Sequence, residues 1–255
     1  MSAPPSRSPN LACPPWRAAA GLLTLFAGLA GWNLLDNSIT PDEPVYLGGG
    51  YAAWTRGEFA LETRTPPLAR LVCALPYLPL RPDLPDTPPG HLRLSYPLGL
   101  QFLFHNRYPA ETLIRLGRLP VLLAGLALLA LIWRWSASLW GEGGGLLSLA
   151  LAALCPNLIA HSSLATKDIL LCLAVVAAFR FLSQQRWTAT GAALGAAVST
   201  NFIGLALLPV FLVLWPRAGL GRGPSALRFL GGLVGVIGLA YGVTHLDLFW
   251  KGIQM

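Results

Sequence analysis

Asp42 and Glu43 stand side by side just after the first long apolar run of the chain, in the motif Thr40-Pro41-Asp42-Glu43. A carboxylate so placed is suited to taking a proton from a hydroxyl, the task of a general base. A second polar group, His161, Ser162, Ser163, Thr166, Lys167 and Asp168, closes a later apolar run, and Ser199, Thr200 and Asn201 close another. Carboxylates, hydroxyls and a cation gathered at one membrane surface would suit a reaction on a charged, lipid-linked substrate. Arginine is the other abundant reactive type: Arg56, Arg64, Arg70, Arg81, Arg93, Arg107, Arg115 and Arg118 fall in or just beyond residues 36–112. A guanidinium fork matches a phosphate group. The same side chains also snorkel to lipid phosphates at an interface.

Each of these residues has an ordinary reading too. Thr40 as N-cap, Pro41 at the first helical position and Glu43 at the third form a capping box, which accounts for Glu43 without catalysis. An acid at position 42 suits the helix dipole. The predicted helix runs to about Trp54 and contains Gly48, Gly49 and Gly50, unfavourable in a helix unless something approaches its backbone closely. The triplet lacks the Lys and Ser/Thr of a phosphate-binding loop. Lys167 and Asp168 are also what bounds two membrane spans. Cys13, Cys73, Cys155 and Cys172 show no CxxC spacing and read as small hydrophobes. No ligand spacing calls for a metal, and no cofactor is expected.

The elements that must position these groups belong to a membrane protein. Of 255 residues 54% are hydrophobic and 11% charged, and the mean hydropathy is +0.56, far from soluble averages. Leu/Ala/Gly-rich runs without period-2 alternation imply an all-α polytopic bundle, not a barrel. About seven spans are expected: Trp16 to Leu35, Leu113 to Trp133, Gly144 to Ala160, Ile169 to Leu182, Trp187 to Thr200, Phe202 to Trp215 and Phe229 to Val243. Residues 1–15 read as a disordered cytoplasmic tail and 16–255 as the transmembrane domain, with 36–112 as a long first external loop carrying juxtamembrane helices. Leu11-Ala12-Cys13 follows a Pro/Ser-rich stretch, so neither lipidation nor a cleaved signal peptide is expected.

Charge placement orients the spans. Arg7, Arg17, Arg134, Arg180, Arg186, Arg217, Arg222 and Arg228 all fall on the cytoplasmic side when the N-terminus is inside. That assignment requires a hairpin near Thr200 and Asn201, and it puts Asp42, the 161–168 cluster and Asn201 on the external face. The stretch Leu68 to Leu80, broken by Arg70 and Pro76, is expected to lie along the interface.

The order of motifs resembles the GT-C class of multi-span glycosyltransferases, in the bacterial branch related to protein O-mannosyltransferases and aminoarabinose transferases. The resemblance rests on "TPDEPVYLGGGYAAWTRGEFAL", "PPLARLVCALP", and "CPNLIAHSSLATKD" followed by "GAALGAAVSTNFIGL". It implies a multi-pass protein of the cell inner membrane that uses a polyprenyl-phosphate-linked sugar on the extracytoplasmic side. Asp42, with Glu43 beside it, matches the catalytic base of that class. Arg64, Arg70 and Lys167 are the expected partners of the leaving phosphate, and His161, Asp168 and Asn201 complete the substrate-binding set. Arg64 and Thr65 stand where relatives often have an acid and a His, and Asn201 where they often have a Lys.

Members of this class are commonly about twice as long, so the C-terminal half of the family is expected to be missing. The chain would then be a fragment, half of a split enzyme with a partner chain, or a degenerate copy. Its expected partners are the lipid-linked sugar and membrane lipid, not nucleic acid. A non-catalytic scaffold or glycan-lipid-binding subunit is the alternative. A transporter is disfavoured, because the span interiors carry almost no ionisable residues.

Overall fold

In a computed structural model of the chain, residues 14–86, 95–214, 223–242 and 245–254 are described. Residues 1–13 of the expected tail, with Cys13 and Arg7, and also Arg93, Arg217 and Arg222, lie outside the described residues, as do the last residues of two expected spans, Trp215 and Val243, whereas Pro15 of that tail already begins the first helix.

Every regular element among the described residues is helical. The order is α1 (Pro15–Asp36), α2 (Glu43–Arg56), α3 (Leu68–Ala74), α4 (Tyr77–Leu80), α5 (Ser95–Phe104), α6 (Ala110–Ala153), α7 (Pro156–Ser162), α8 (Asp168–Ser183), α9 (Trp187–Thr200), α10 (Leu207–Leu214), α11 (Gly223–Ala240) and α12 (Leu246–Ile253). Three of them, α1, α6 and α11, are long and apolar enough to cross a membrane. Length and composition thus support these three helices as crossings, and most of the other expected spans are shorter helices. At 1.5 Å per residue the 16 residues of α8 and 14 of α9 reach about 24 and 21 Å, against a hydrocarbon core of roughly 30 Å.

The second and third expected spans are the two arms of α6. Gly141, at φ 74° and ψ 176°, breaks the helix in a region open only to glycine. Beyond it the chain folds back: the Ser136 and Ser148 hydroxyls lie 2.7 Å apart, and a Cβ on Gly145 would meet Ala137 and the Trp133 carbonyl. A second reversal falls at Asn201, whose extended backbone ends α9 and whose Oδ1 accepts the Ile203 N–H at 3.2 Å. Gly204 then lies against the backbone of Ala197 and Val198, and α10 returns along α9 through Ala193, Leu194 and Phe211.

Residues 36–112 form a packed layer. α2 is clamped between α5 and α3: a Cβ on Gly48 would stand 2.7 Å from Gly99 Cα, and one on Gly50 would collide with the Arg70 carbonyl. Two glycines of the triplet are needed for these approaches. Tyr51 of α2 packs with Tyr77 and Phe102 at ring separations of 5.3 to 6.0 Å, edge-on at Tyr77 and tilted between Tyr51 and Phe102, and the Tyr77 hydroxyl donates to the Leu113 carbonyl at 2.7 Å. The stretch from Leu68 to Leu80 becomes α3 and α4, helices of 7 and 4 residues that join this core and are far too short to cross.

Candidate functional site

The site is organised by a buried ion pair. Arg118, at 1% exposure within α6, uses all five of its N–H donors. Nε donates to Glu43 Oε1 at 2.7 Å and Nη2 to Glu43 Oε2 at 2.8 Å. The remaining donors go to the carbonyls of Leu34, Asn37 and Ser38, each at 2.9 Å. The end of α1 is thus capped by a side chain from another helix, satisfying carbonyls that helix termini leave open.

Glu43 is fully buried and equally saturated. Besides Arg118, its Oε1 accepts the Ala165 N–H at 2.9 Å and its Oε2 the Thr40 N–H at 2.8 Å. Half of the expected capping box therefore forms. The other half does not, because the Thr40 carbonyl takes the Glu43 N–H at 3.2 Å while Thr40 Oγ1 has no partner, and the helix starts at Glu43 instead of Pro41. Burial alone would raise the Glu43 carboxyl. The bonds from Arg118, Thr40 and Ala165 and the Arg118 charge outweigh it, holding the group below its ordinary value.

Asp42 is the opposite case. It is exposed at the N-cap of α2, and its side chain makes no capping bond. Because Glu43 grips Ala165, the loop carrying Asp42 is held against the segment that carries Thr166, Lys167 and Asp168. Tyr46 lies one turn along α2, and burial first, then the charges of Asp42, Cys73 and Asp168, push its hydroxyl up. That hydroxyl is a buried neutral donor without a partner in good geometry, although Thr65 lies near enough to oppose the shift. His161 Nδ1 sits 3.3 Å from Asp168 Oδ2, which Thr166 Oγ1 also approaches at 3.3 Å.

The remaining expected residues divide sharply. Arg70 is 2% exposed and donates to the carbonyls of Glu62 at 2.7 Å and Phe59 at 3.0 Å, so its guanidinium is turned into the layer and away from any open phosphate. Burial draws its pKa down to about 10, against the nearby charge of Glu62. Arg56, Arg107 and Arg115 likewise donate to backbone carbonyls, of Pro85 and Leu84, of Arg81, and of Leu35. Arg64 is exposed, Lys167 is half-buried, and neither side chain is bonded among the described residues. Asn201 is not joined to these residues by any bond among the described residues; its side chain accepts the Ile203 N–H, and the adjoining Phe202 ring packs on Gly252 of α12 near the Thr63 carbonyl. The pairing of Arg118 with Glu43 is not among the roles expected of that arginine. The signal was an arginine inside an apolar helix, a placement that requires an acid or carbonyls nearby.

The chain matches no protein-family model, no curated protein and no solved structure.

Proposed function

We propose that the protein is a membrane glycosyltransferase that moves a sugar from a polyprenyl-phosphate donor to an acceptor hydroxyl on the extracytoplasmic face. One observation carries the reading. Of two adjacent acids, Glu43 has every lone pair engaged, while Asp42 is exposed and makes no capping bond, in a loop that Glu43 ties to the backbone of Ala165, just ahead of Lys167 and Asp168. In the reaction Asp42 takes the acceptor hydroxyl proton as its oxygen bonds to the anomeric carbon. The bond from that carbon to the phosphate oxygen breaks, and polyprenyl phosphate leaves with the electron pair. Arg64 and Lys167 balance the departing charge, and His161 and Asp168 line the acceptor side.

Glu43 and Arg70, expected at the sequence level to take part directly, act in this scheme as positioning residues. The scheme also has the chain cross the membrane about seven times, with the shorter helices α8, α9 and α10 completing the crossings around α1, α6 and α11. Reconstitution of the full chain with a polyprenyl-phosphate sugar, comparing wild type with Asp42→Asn, tests the proposal. Loss of transfer in the variant supports it, and transfer at the wild-type rate refutes it. A non-catalytic subunit would bind the donor without transfer in both proteins.

A further inference from the structure

A second site lies away from these residues, between the start of α1 and the break in α6. Trp16, Trp133, Arg134, Ser138 and Glu142 line a cavity of about 460 Å³ there, within the size range of small-molecule sites. It lies where the apolar run of α1 begins and that of the first α6 arm ends at Arg134, the level at which lipid headgroups meet a membrane protein. Arg17 is stacked over Trp16 at 5.2 Å and adds positive charge at the rim.

The distinctive feature is that Arg134 and Glu142 face one cavity yet form no ion pair with each other among the described residues, although short surface pairs elsewhere close at 2.9 to 3.6 Å. Both charges remain available to a ligand that carries both signs. An anion alone would meet Glu142, and a cation alone would meet Arg134. Two indoles at the wall favour a ligand with a cationic end and an apolar continuation.

We propose that this cavity binds a phosphoethanolamine zwitterion, the phosphate on Arg134 and the primary ammonium on Glu142 and the indole faces. The group is available as a phospholipid headgroup or as the free compound. Nothing in this site depends on the glycosyltransferase reading.

The test uses the purified full chain in detergent, with phosphatidylethanolamine or phosphatidylglycerol added at equal concentration and bound lipid read by native mass spectrometry. Wild type is expected to retain the zwitterionic lipid roughly threefold to fivefold better, the scale of a solvent-screened charge pair. Glu142→Gln should erase that preference while leaving the thermal midpoint of lipid-free protein unchanged, and Arg134→Gln should weaken both lipids. Free phosphoethanolamine separates the sources: displacement of bound lipid by millimolar compound assigns recognition to the headgroup itself, and failure to displace it assigns the site to intact lipid. Equal retention of both lipids by wild type, or an undiminished preference in Glu142→Gln, overturns the proposal.

Discussion

Glu43 and Arg118 are 75 residues apart in the chain and share two hydrogen bonds of 2.7 and 2.8 Å in a site closed to solvent. Removing one member strands the other charge, which costs about 3 to 5 kcal/mol. A capping role alone would cost about 1 kcal/mol. Glu43→Gln is therefore expected to lower the thermal midpoint strongly. In a double-mutant cycle, Glu43→Leu should cost far less in an Arg118→Met background. The double variant will still fall short of wild type, since Arg118→Met also orphans the carbonyls of Leu34, Asn37 and Ser38. Additive losses in the cycle would refute the pairing.

The same pair sets a pH dependence. Glu43 has a folded pKa below its ordinary value of 4.5. A depressed carboxyl contributes stability that is present above the unfolded pKa and lost as pH falls through the folded one. The melting temperature in detergent should hold from neutral pH to about pH 4.5 and then decline more steeply in wild type than in Glu43→Gln. Parallel curves for the two proteins would remove Glu43 from the acid transition.

Asp42→Asn should leave membrane abundance and melting temperature unchanged, because the side chain is exposed and makes no capping bond. Transfer should drop by the 10² to 10⁴ that a positioned base typically supplies. Loss of transfer together with loss of folded protein would make Asp42 a structural residue instead.

Gly49 and Gly50 provide a matched pair. A Cβ on Gly50 strikes the Arg70 carbonyl, and one on Gly49 meets Ser95 at an ordinary 3.5 Å. Gly50→Ala is expected to destabilise by about 1 to 3 kcal/mol. Gly49→Ala should stabilise by about 0.5 to 1 kcal/mol through helix propensity. Thermal melts of the two variants, read side by side, decide the matter, and a Gly50→Ala melt at the wild-type midpoint would contradict the close packing of α2 on α3.

Much of this arrangement was legible in the residues. The apolar run at 16–35 and the need for glycine inside α2 follow from local chemistry, the break after Thr200 follows from the placement of the arginines beyond it, and each appears where expected. The arginines of residues 36–112 were legible only in number. Phosphate recognition and lipid snorkelling are the reasons an isolated arginine suggests. Most of them instead donate to backbone carbonyls that turns and helix ends leave open, as Arg56 does for Leu84 and Pro85 and Arg115 for Leu35. Such pairings join segments far apart in the chain, so local pattern carries no trace of them. The fold-back at Gly141 was visible as a gap between two apolar runs, but not as a single residue in a glycine-only conformation.

The glycines between α9 and α11 bring two backbones together. A Cβ on Gly195 would stand 2.6 Å from the Leu233 carbonyl, and Gly191 and Gly232 lie equally close to the opposite main chain. Close backbone packing of this kind is expected to hold the two helices together without the covalent link between them. A gene divided between the codons for Leu214 and Gly223, with both pieces expressed together, should yield polypeptides that find each other in the bilayer and copurify through a tag on either one.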